Sequence, residues 1–407
     1  MNENANSTPR SLRIVITLIG RRNVGKSSLI NSICGQNVSI VSDVAGTTTD
    51  AVAKSYELSG LGAVTFYDTA GLDDEGDLGQ QRISATKKVL YKTDIAVLVI
   101  GTDGIQESDA EIVKDVREMK IPLLVVFNKT DISSPKVEDK KWVEQNNVQY
   151  VEVSAEKSEN INVLKQKISD IVPEDLRQDP LLAGDLFAAG DVVVLVTPID
   201  YSAPKGRLIL PQVQVLREIL DKGAKGIIVK ETELESILML LKQKPALIIS
   251  DSQVIMKVAT IVPQDVPLTT FSILFARNKG DIRVMYSGAS AIDDLKDGDK
   301  VLIAEACSHH AMEDDIGKVK IPNWLKKYTG KNLMFDFCHG GDFPDNLEQY
   351  SLVIHCGACM INRTEMVRRL NECVRRGVKI TNYGVVISKT QGVLERVVEP
   401  LKIKENI

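Results

Sequence analysis

The stretch Gly20-Arg21-Arg22-Asn23-Val24-Gly25-Lys26-Ser27 decides the fold of the first part of the chain. It follows a short apolar run, Ile14–Ile19, and precedes a helix-like stretch that starts at Lys26. Glycines allow backbone N–H groups to close around phosphate oxygens, and a helix N-terminus adds a positive end. Two glycines, a lysine and a serine at this spacing between a strand and a helix are typical of a P-loop. The residues predicted to contact the phosphates are Arg22, Asn23, Val24, Gly25, Lys26, Ser27 and Ser28.

Hydrolysis at a P-loop needs groups that bind the terminal phosphate and Mg²⁺. Lys26 carries a point charge toward the β- and γ-phosphates, and the hydroxyl of Ser27 binds Mg²⁺. Gly46-Thr47-Thr48-Thr49-Asp50 is the expected switch segment. Within this segment, Thr48 is the predicted Mg²⁺ ligand.

A second motif, Asp68-Thr69-Ala70-Gly71, comes directly after the predicted strand Val64–Tyr67. The carboxylate of Asp68 is expected to reach Mg²⁺ through water, and the amide of Gly71 is expected to meet the γ-phosphate. The catalytic residues predicted from these motifs are Lys26, Thr48, Asp68 and Gly71.

Two further motifs predict that the base is guanine. Asn128-Lys129-Thr130-Asp131 ends the predicted strand Leu123–Phe127, and a carboxylate at Asp131 can accept hydrogen bonds from guanine N1–H and the N2 amino group. Adenine offers no such pair of donors, so the site selects GTP over ATP. Ser154-Ala155-Glu156 suits a backbone contact to guanine O6. The predicted base-binding residues are Asn128, Lys129, Asp131, Ser154, Ala155 and Glu156.

The length of 407 residues suggests about three domains. Strand patterns alternate with helical patterns, which indicates an α/β fold with mainly parallel sheets. Composition shifts near 175–190 and near 262–270 predict an N-terminal P-loop domain at 1–174 and two smaller α/β domains at 175–265 and 266–407. The strands predicted in the two smaller domains are Val192–Val196, Gly226–Val229, Ala246–Ile249, Lys300–Ala304, Leu333–Phe337 and Leu352–His355.

Composition excludes several classes of protein. The net charge is −5, from 50 basic and 55 acidic side chains, so binding of nucleic acid through bulk positive charge is not expected. No apolar run approaches the ~18 residues of a membrane span. The polar start Met1-Asn2-Glu3-Asn4 is not expected to be a signal peptide, and cysteines that are mostly concentrated in one region are not expected to form a disulfide scaffold. These features predict a reduced, cytoplasmic protein that is not bound to a membrane.

The residues that commonly bind metals through sulfur or nitrogen are concentrated in the last quarter of the chain. This quarter holds five of the six cysteines and all four histidines. Cys307-Ser308-His309 follows one predicted strand, and His355-Cys356-Gly357-Ala358-Cys359 ends another. Cys338 and His339 end a third. Because ligands gather at the carboxyl ends of parallel strands, these segments predict one metal site. Ligand types alone leave two alternatives open, a [4Fe–4S] cluster with an open or weak fourth position and a structural Zn²⁺ held by three Cys and one His.

The N-terminal motifs resemble those of Era- and MnmE-type GTPases, and the resemblance covers Leu12 to about Ile171. Asn23 matches the position at which MnmE-like GTPases hold K⁺ against the phosphates, whereas Arg22 stands where those relatives usually have proline. Leu72 occupies the place of the glutamine that orients water in Ras-type enzymes, so intrinsic hydrolysis is expected to be slow or to be helped by another element. The resemblance therefore implies Mg²⁺-dependent GTP hydrolysis that K⁺ stimulates.

Behind the GTPase motifs, the pattern C-x-H, a long spacer and H-C-x-x-C resembles the HydF family, the GTPase maturases of FeFe-hydrogenases. The resemblance covers essentially the whole chain. It implies that Cys307, Cys356 and Cys359 hold a [4Fe–4S] cluster with an exchangeable fourth site. His309 and His355 match the family motif and are predicted either as the fourth iron ligand or as contacts in the surrounding shell.

The same resemblance implies roles and partners. Residues 175–265 are expected to mediate homodimerisation, and residues 266–407 are expected to bind the cluster. The protein is expected to act as a scaffold that carries a transient two-iron precursor with CO and cyanide ligands. Radical-SAM maturases build that precursor, and apo FeFe-hydrogenase receives it.

The alternative is an Era-like RNA- or ribosome-associated GTPase with a zinc-stabilised C-terminal domain. Gly223-Ala224-Lys225-Gly226 matches the G-x-x-G of an RNA-binding KH loop, but it joins a predicted helix to a predicted strand. A KH loop joins two helices. The residues after Phe271 contain no basic block, so affinity for RNA phosphates has little basis.

Overall fold

A computed structural model describes residues 8–35, 40–41, 52–69, 89–177, 180–199, 208–306, 315–340, 343–344 and 346–402. Contacts divide the chain into two compact units, Met1–Asp179 and Pro180–Ile407. The second unit holds two separate sheets. The boundaries at 174 and 265 between three domains remain predictions.

The first unit is built on a seven-stranded sheet with the order β2-β3-β4-β1-β5-β6-β7. Its strands are β1 Ile14–Ile19, β2 Ile40–Val41, β3 Val52–Leu58, β4 Gly62–Asp68, β5 Ile95–Ile100, β6 Leu123–Phe127 and β7 Gln149–Glu152. β3 pairs antiparallel with β2 and β4, and the other pairs are parallel. All six residues of β1 and all six of β5 are buried, as expected for parallel strands with both faces covered.

The helices of the first unit are α1 Lys26–Cys34, α2 Glu107–Glu118, α3 Val137–Gln145, α4 Ile161–Ile171 and α5 Glu174–Arg177. In α4 the buried apolar residues are Ile161, Leu164 and Ile168, which lie on one face at helical spacing. Val172, which follows α4 and precedes Pro173, is extended, as is typical of a residue before proline.

The first sheet of the second unit has four parallel strands in the order β11-β10-β8-β9. They are β8 Val192–Val196, β9 Lys225–Val229, β10 Leu247–Ser250 and β11 Leu268–Thr270. The accompanying helices are α6 Leu210–Asp221, α7 Leu234–Leu240, α8 Ile255–Ile261 and α9 Phe271–Lys279. β8 and β10 are central and fully buried, whereas β9 lies at an edge and is largely exposed.

The second sheet of this unit has four parallel strands in the order β13-β12-β14-β15. They are β12 Lys300–Glu305, β13 Met334–His339, β14 Leu352–His355 and β15 Ile380–Asn382. The helices are α10 Ile282–Ala289, a π-helix Ile316–Lys320, α11 Ile321–Thr329, α12 Arg363–Arg375, α13 Tyr383–Thr390 and α14 Leu394–Val398. One continuous apolar core, from Val192 to Val398, serves both sheets of the unit.

The prediction of an α/β fold with mainly parallel sheets is confirmed. The largest omission is β3, which turns back through Gly60 to pair with β4 at the edge of the first sheet. The three-residue strands β11 and β15 were also not predicted, because so few residues show no hydrophobic period. Within the described ranges, no helix combines the length and apolar character needed to cross a membrane.

Candidate functional site

The P-loop lies between β1 and α1, as predicted. Gly20 and Gly25 have φ angles of 143° and 93°, which glycine adopts more readily than other residues. Lys26 is 7% exposed, and its Nζ donates to the carbonyls of Gly20 at 2.7 Å and Arg21 at 2.8 Å. The loop is therefore wrapped around the amino group that is predicted to meet the phosphates. The exposed residues of the loop and of the first turn of α1 are Arg22, Asn23, Ser27 and Ser28, whereas Val24 is buried.

Two of the predicted Mg²⁺ ligands meet in the structure. Ser27, at the start of α1, donates from Oγ to the Oδ2 of Asp68 at the end of β4. A hydroxyl and a carboxylate in contact form an oxygen pair of the kind that Mg²⁺ prefers. Thr48 and Gly71, the other two predicted members of the phosphate site, lie outside the described residues.

Asn128 connects the P-loop to the segment predicted to bind the base. Its side chain is buried, and Nδ2 donates to the Val24 carbonyl at 2.9 Å while Oδ1 accepts from the Ala155 amide at 3.0 Å. A Cβ on Gly25 would overlap with Asn128 Nδ2, so the absence of a side chain there allows the close approach. One asparagine thus holds together three of the motifs that the sequence analysis treated separately.

Asp131 and Ser154, both predicted to bind the base, lie in direct contact. Ser154 Oγ donates to Asp131 Oδ1 at 2.6 Å and accepts from the Lys157 amide at 3.1 Å. The hydrogen bond from Ser154 lowers the pKa of Asp131, so the carboxylate is ionised at neutral pH. Lys129 has a positive φ of 65°, and Glu156 is exposed.

Sequence reasoning missed the role of Arg21, a variable position of the P-loop motif. Its Nη2 donates to the Gly104 carbonyl at 2.6 Å, and its Nε donates to Asp109 Oδ2 at 3.2 Å. Asp109 is fully buried at the start of α2. The guanidinium of Arg21 therefore anchors the P-loop to the segment after β5. The two partners lie more than 80 residues away in sequence, so no local sequence pattern predicts this contact.

The second candidate site lies at the carboxyl ends of β12, β13 and β14. Cys356 follows β14, and its amide donates to the Ala304 carbonyl at 2.8 Å. Its Sγ accepts from the Ala306 amide at 3.1 Å. Burial raises the pKa of this thiol to about 11, although the amides of Ala306 and Ala358, which donate to the sulfur, act in the opposite direction.

Cys359 is exposed, and Ala358 before it is buried with a φ of 57°. This tight turn separates the two thiols of the C-x-x-C segment. At its far end, the Nζ of the buried Lys279 donates to the Ile361 carbonyl at 3.3 Å. A positive charge is thus buried beside a segment that carries two potential thiolates. Although the residue as a whole is exposed, desolvation around the thiol raises the pKa of Cys359, and the charge of Lys279 acts in the opposite direction.

His355 is fully buried, and both of its ring nitrogens have partners. Nε2 lies 3.1 Å from Nη1 of Arg369, and Nδ1 lies 3.0 Å from the Cys356 carbonyl oxygen. Burial lowers the pKa of His355 to about 3, and the positive charge of Arg369 acts in the same direction. Of the two predicted roles, this arrangement favours a contact in the shell around the cysteines over a fourth metal ligand.

Glu305, at the end of β12, is a further polar residue that the sequence analysis did not single out. It is 4% exposed and accepts from the Tyr383 hydroxyl at 3.0 Å, while its Oε2 lies 3.0 Å from His339 Nδ1. A Cβ on Gly317 would overlap with the Tyr383 hydroxyl and with Oε1 of Glu305, so the glycine leaves room for this hydrogen bond. The contact brings His339 to the same end of the sheet as Cys356.

The described cysteines fit a thiolate-bound metal group in part. Cys307 and His309 lie outside the described residues, and among the residues that are described no group of three metal-binding side chains is assembled. However, Ala306, the residue directly before Cys307, donates its amide to Cys356 Sγ. The residue that precedes the C-x-H segment therefore lies against the H-C-x-x-C segment, and amide donors of this kind stabilise thiolates.

Comparisons with known families assign both units. Residues 15–129 match the 50S ribosome-binding GTPase family model. Residues 182–280 match the hydrogen maturase F dimerization domain, and residues 282–400 match the hydrogen maturase F tetramerization domain. The chain belongs to the hydrogen maturase F family. The predicted family and the predicted GTP-binding domain are confirmed, and both matches in the second unit favour the maturase prediction over the RNA-linked alternative.

Curated relatives with GTPase names match part of the chain. GTPase Der from Wolinella succinogenes is 36% identical over 188 residues, which are 44% of this chain and 39% of the relative. The tRNA modification GTPase MnmE from Clostridioides difficile is 33% identical over 159 residues, which are 38% of this chain and 34% of the relative. The chain thus spans less than half the length of these relatives.

Solved structures of GTPases are also similar to part of the chain. Era from Aquifex aeolicus is 22% identical with a TM-score of 0.34, covering 56% of this chain and 98% of that one. The G domain of the T. maritima FeoB iron transporter is 20% identical with a TM-score of 0.33, covering 40% of this chain and 99% of that one.

Proposed function

We propose that this protein is a GTPase that matures FeFe-hydrogenase, with its second unit serving as the scaffold for an iron–sulfur cluster. The observation that carries the proposal is a contact in a chain that has a P-loop and both hydrogen maturase F domains. In this contact the amide of Ala306, the residue before Cys307, donates to the thiol of Cys356. A zinc-stabilised RNA GTPase would need neither hydrogen maturase F domain.

In the first unit, Lys26 binds the β- and γ-phosphates, and Ser27 with Asp68 binds Mg²⁺. Asp131 accepts the two donors of guanine, with Ser154 holding one of its oxygens and Ala155 placing its amide beside guanine O6. The geometry that supports these roles is the contact of Ser27 with Asp68 and the double link that Asn128 makes. Thr48 and Gly71 complete the γ-phosphate contacts in this proposal.

K⁺ stimulates hydrolysis in this proposal, with Asn23 as the side chain that binds it. Asn23 is exposed at the tip of the P-loop with a φ of 60°, and its amide oxygen is a suitable ligand for a monovalent cation. The test compares turnover of GTP in K⁺ and Na⁺ buffers for the wild type and for Asn23→Ala. The wild type should be faster in K⁺ only, and the variant should lose the difference. Equal turnover by the wild type in both buffers would contradict the proposal.

In the second unit, Cys307, Cys356 and Cys359 would hold a [4Fe–4S] cluster. When bound, such a cluster supplies an iron site that exchanges its fourth ligand and can take up a two-iron precursor. The chain contributes the amide of Ala306, which donates to Cys356 Sγ, and the buried charge of Lys279 near Cys359. Both features oppose the effect of desolvation, which raises the pKa of each thiol, and so support the thiolate form that binds iron.

The partners in this proposal are radical-SAM maturases, which supply the precursor, and apo FeFe-hydrogenase, which receives it. The decisive test is activation of apo-hydrogenase by wild-type protein, Lys26→Ala and Cys356→Ser. Each variant should fail to activate, while Lys26→Ala keeps its iron and Cys356→Ser keeps its GTP turnover. Full activation by Cys356→Ser would rule out the scaffold role.

The protein is proposed to form a homodimer through β9, an edge of the first sheet of the second unit. Ile228 on this strand is 41% exposed, and the helices that precede and follow β9 in sequence, α6 and α7, carry the exposed apolar residues Val213, Leu220, Met239 and Leu240. An exposed apolar edge strand pairs readily with another strand, and two copies related by a two-fold axis would extend the sheet. The match of residues 182–280 to a dimerization domain supports this surface.

Light scattering of Ile228→Glu tests the dimer, with Ile132→Glu as the matched control. Ile132 is 71% exposed, but it lies in the first unit. The control should keep the wild-type mass, whereas Ile228→Glu should shift it toward a smaller species. An unchanged mass for Ile228→Glu would remove β9 from the interface.

A further inference from the structure

A buried arginine on α12, Arg369, contacts His355, the residue directly before Cys356. Arg369 is 2% exposed, and its guanidinium donates to three acceptors on three different elements. These acceptors are Nε2 of His355 at the end of β14, the carbonyl of Gly340 after β13 at 2.6 Å, and Oε1 of Glu365 on α12. The ring of Phe343 lies 5.2 Å from the guanidinium carbon. One side chain thus joins the ends of two strands to a helix.

The contact with Arg369 determines which nitrogen of His355 carries the proton. A guanidinium is always protonated and can only donate, so Nε2 of the imidazole must accept. The proton of the neutral ring therefore lies on Nδ1, which donates to the carbonyl of Cys356. In this way Arg369 fixes the ring of His355, and the ring in turn holds the carbonyl group of Cys356.

Cys356 is then held at three points. Its carbonyl accepts from His355, its amide donates to Ala304, and its thiol accepts from Ala306. The first of these contacts depends in turn on Arg369, which holds the ring of His355, whereas the other two are made directly by β12 and the residue after it. If Arg369 were absent, the ring of His355 could take the other tautomer, and its hydrogen bond to the Cys356 carbonyl would be lost.

We infer that Arg369 is a positioning residue, which holds the ends of β13 and β14 so that Cys356 is already oriented for a cluster before any iron is bound. This inference rests on the proposed role of Cys356 as a cluster ligand. Lysine cannot replace arginine here, because its single ammonium group cannot reach the three separate acceptors that the two Nη atoms of Arg369 contact. Partners of ligands that fix their orientation are typically worth about 10- to 100-fold in metal affinity.

The first test measures how fast a chelator removes iron from reconstituted Arg369→Lys under anaerobic conditions. Arg375→Lys is the matched control, because Arg375 lies on the same helix with its side chain 68% exposed and paired with Glu372. Iron loss should be at least about 10-fold faster than wild type for Arg369→Lys and unchanged for Arg375→Lys. Equal rates for Arg369→Lys and the wild type would overturn the inference.

The second test needs no cluster and uses ¹⁵N NMR of the histidine side chains in the reduced full-length apo protein. His355→Asn assigns the signal, and the wild type should show His355 protonated at Nδ1 alone. Arg369→Lys should shift the population toward the tautomer protonated at Nε2. A wild-type His355 protonated at Nε2 would overturn the inference even if the variant failed to fold. If wild-type protein bound no iron, the proposed cluster would be wrong, and the tautomer would still decide the role of Arg369.

Discussion

Replacement of Asn128 by alanine should uncouple the P-loop from the base-binding segment. The substitution removes two buried hydrogen bonds, to the Val24 carbonyl at 2.9 Å and from the Ala155 amide at 3.0 Å. Each bond contributes about 1 kcal/mol, and a buried partner left without a hydrogen bond adds about 1–3 kcal/mol. These two costs describe the same lost contacts and overlap, so we expect the free energy of unfolding of the first unit to fall by about 2–4 kcal/mol. GTP affinity should fall at least about 10-fold, because binding must then order two loops.

The assay is urea unfolding in a Trp324→Phe background, in which the remaining tryptophan, Trp142, reports on the first unit. Asn146→Ala is the control, since its Nδ2 makes one hydrogen bond, to the Trp142 carbonyl at the end of α3, away from the P-loop. The control should lose about 1 kcal/mol or less and keep wild-type GTP affinity. If Asn128→Ala unfolded within about 0.5 kcal/mol of the wild type, the bridging role would be refuted.

Two further predictions concern side chains at the two sites. Asp131→Asn should weaken GTP binding by about 10²-fold or more, because it removes charge-assisted hydrogen bonds to guanine. It should also strengthen binding of xanthosine triphosphate, whose O2 accepts where guanine donates. Titration with both nucleotides checks this, and an unchanged preference for GTP would refute it. Cys373 is buried, and burial raises the pKa of its thiol to about 12, whereas Cys359 is exposed. In the reduced apo protein at pH 8, iodoacetamide should therefore modify Cys359 long before Cys373. Peptide mass mapping measures the order of modification. The reverse order would contradict the burial of Cys373.

The parts of the fold that the sequence predicted well depend on local spacing. β1, the P-loop and α1 follow one another within a single stretch, and the buried apolar residues of α4 repeat at helical spacing. β3 was missed because its partner β4 follows a tight turn, and only the pairing reveals it. Local pattern therefore decided which elements could be predicted.

The cysteine site shows the limit of such reasoning. The placement of Cys356 at the end of β14 was predicted from its position after an apolar run. Arg369 and Glu305 carry no motif, since each acts through partners far away in sequence, such as Gly340 for Arg369 and Tyr383 for Glu305. His355 matched the family pattern, but the pattern could not tell that both of its nitrogens bond within the protein.

The most direct test of the central claim is iron and sulfide analysis with visible spectroscopy after anaerobic reconstitution. The wild type and Cys373→Ser, whose cysteine is fully buried on α12, should each bind about four irons per chain and show charge-transfer absorption. Cys356→Ser should bind substantially less iron and lose that absorption while its GTP turnover stays at the wild-type level. Wild-type protein without the absorption, or Cys356→Ser with an unchanged spectrum, would contradict the claim that the second unit is an iron–sulfur scaffold.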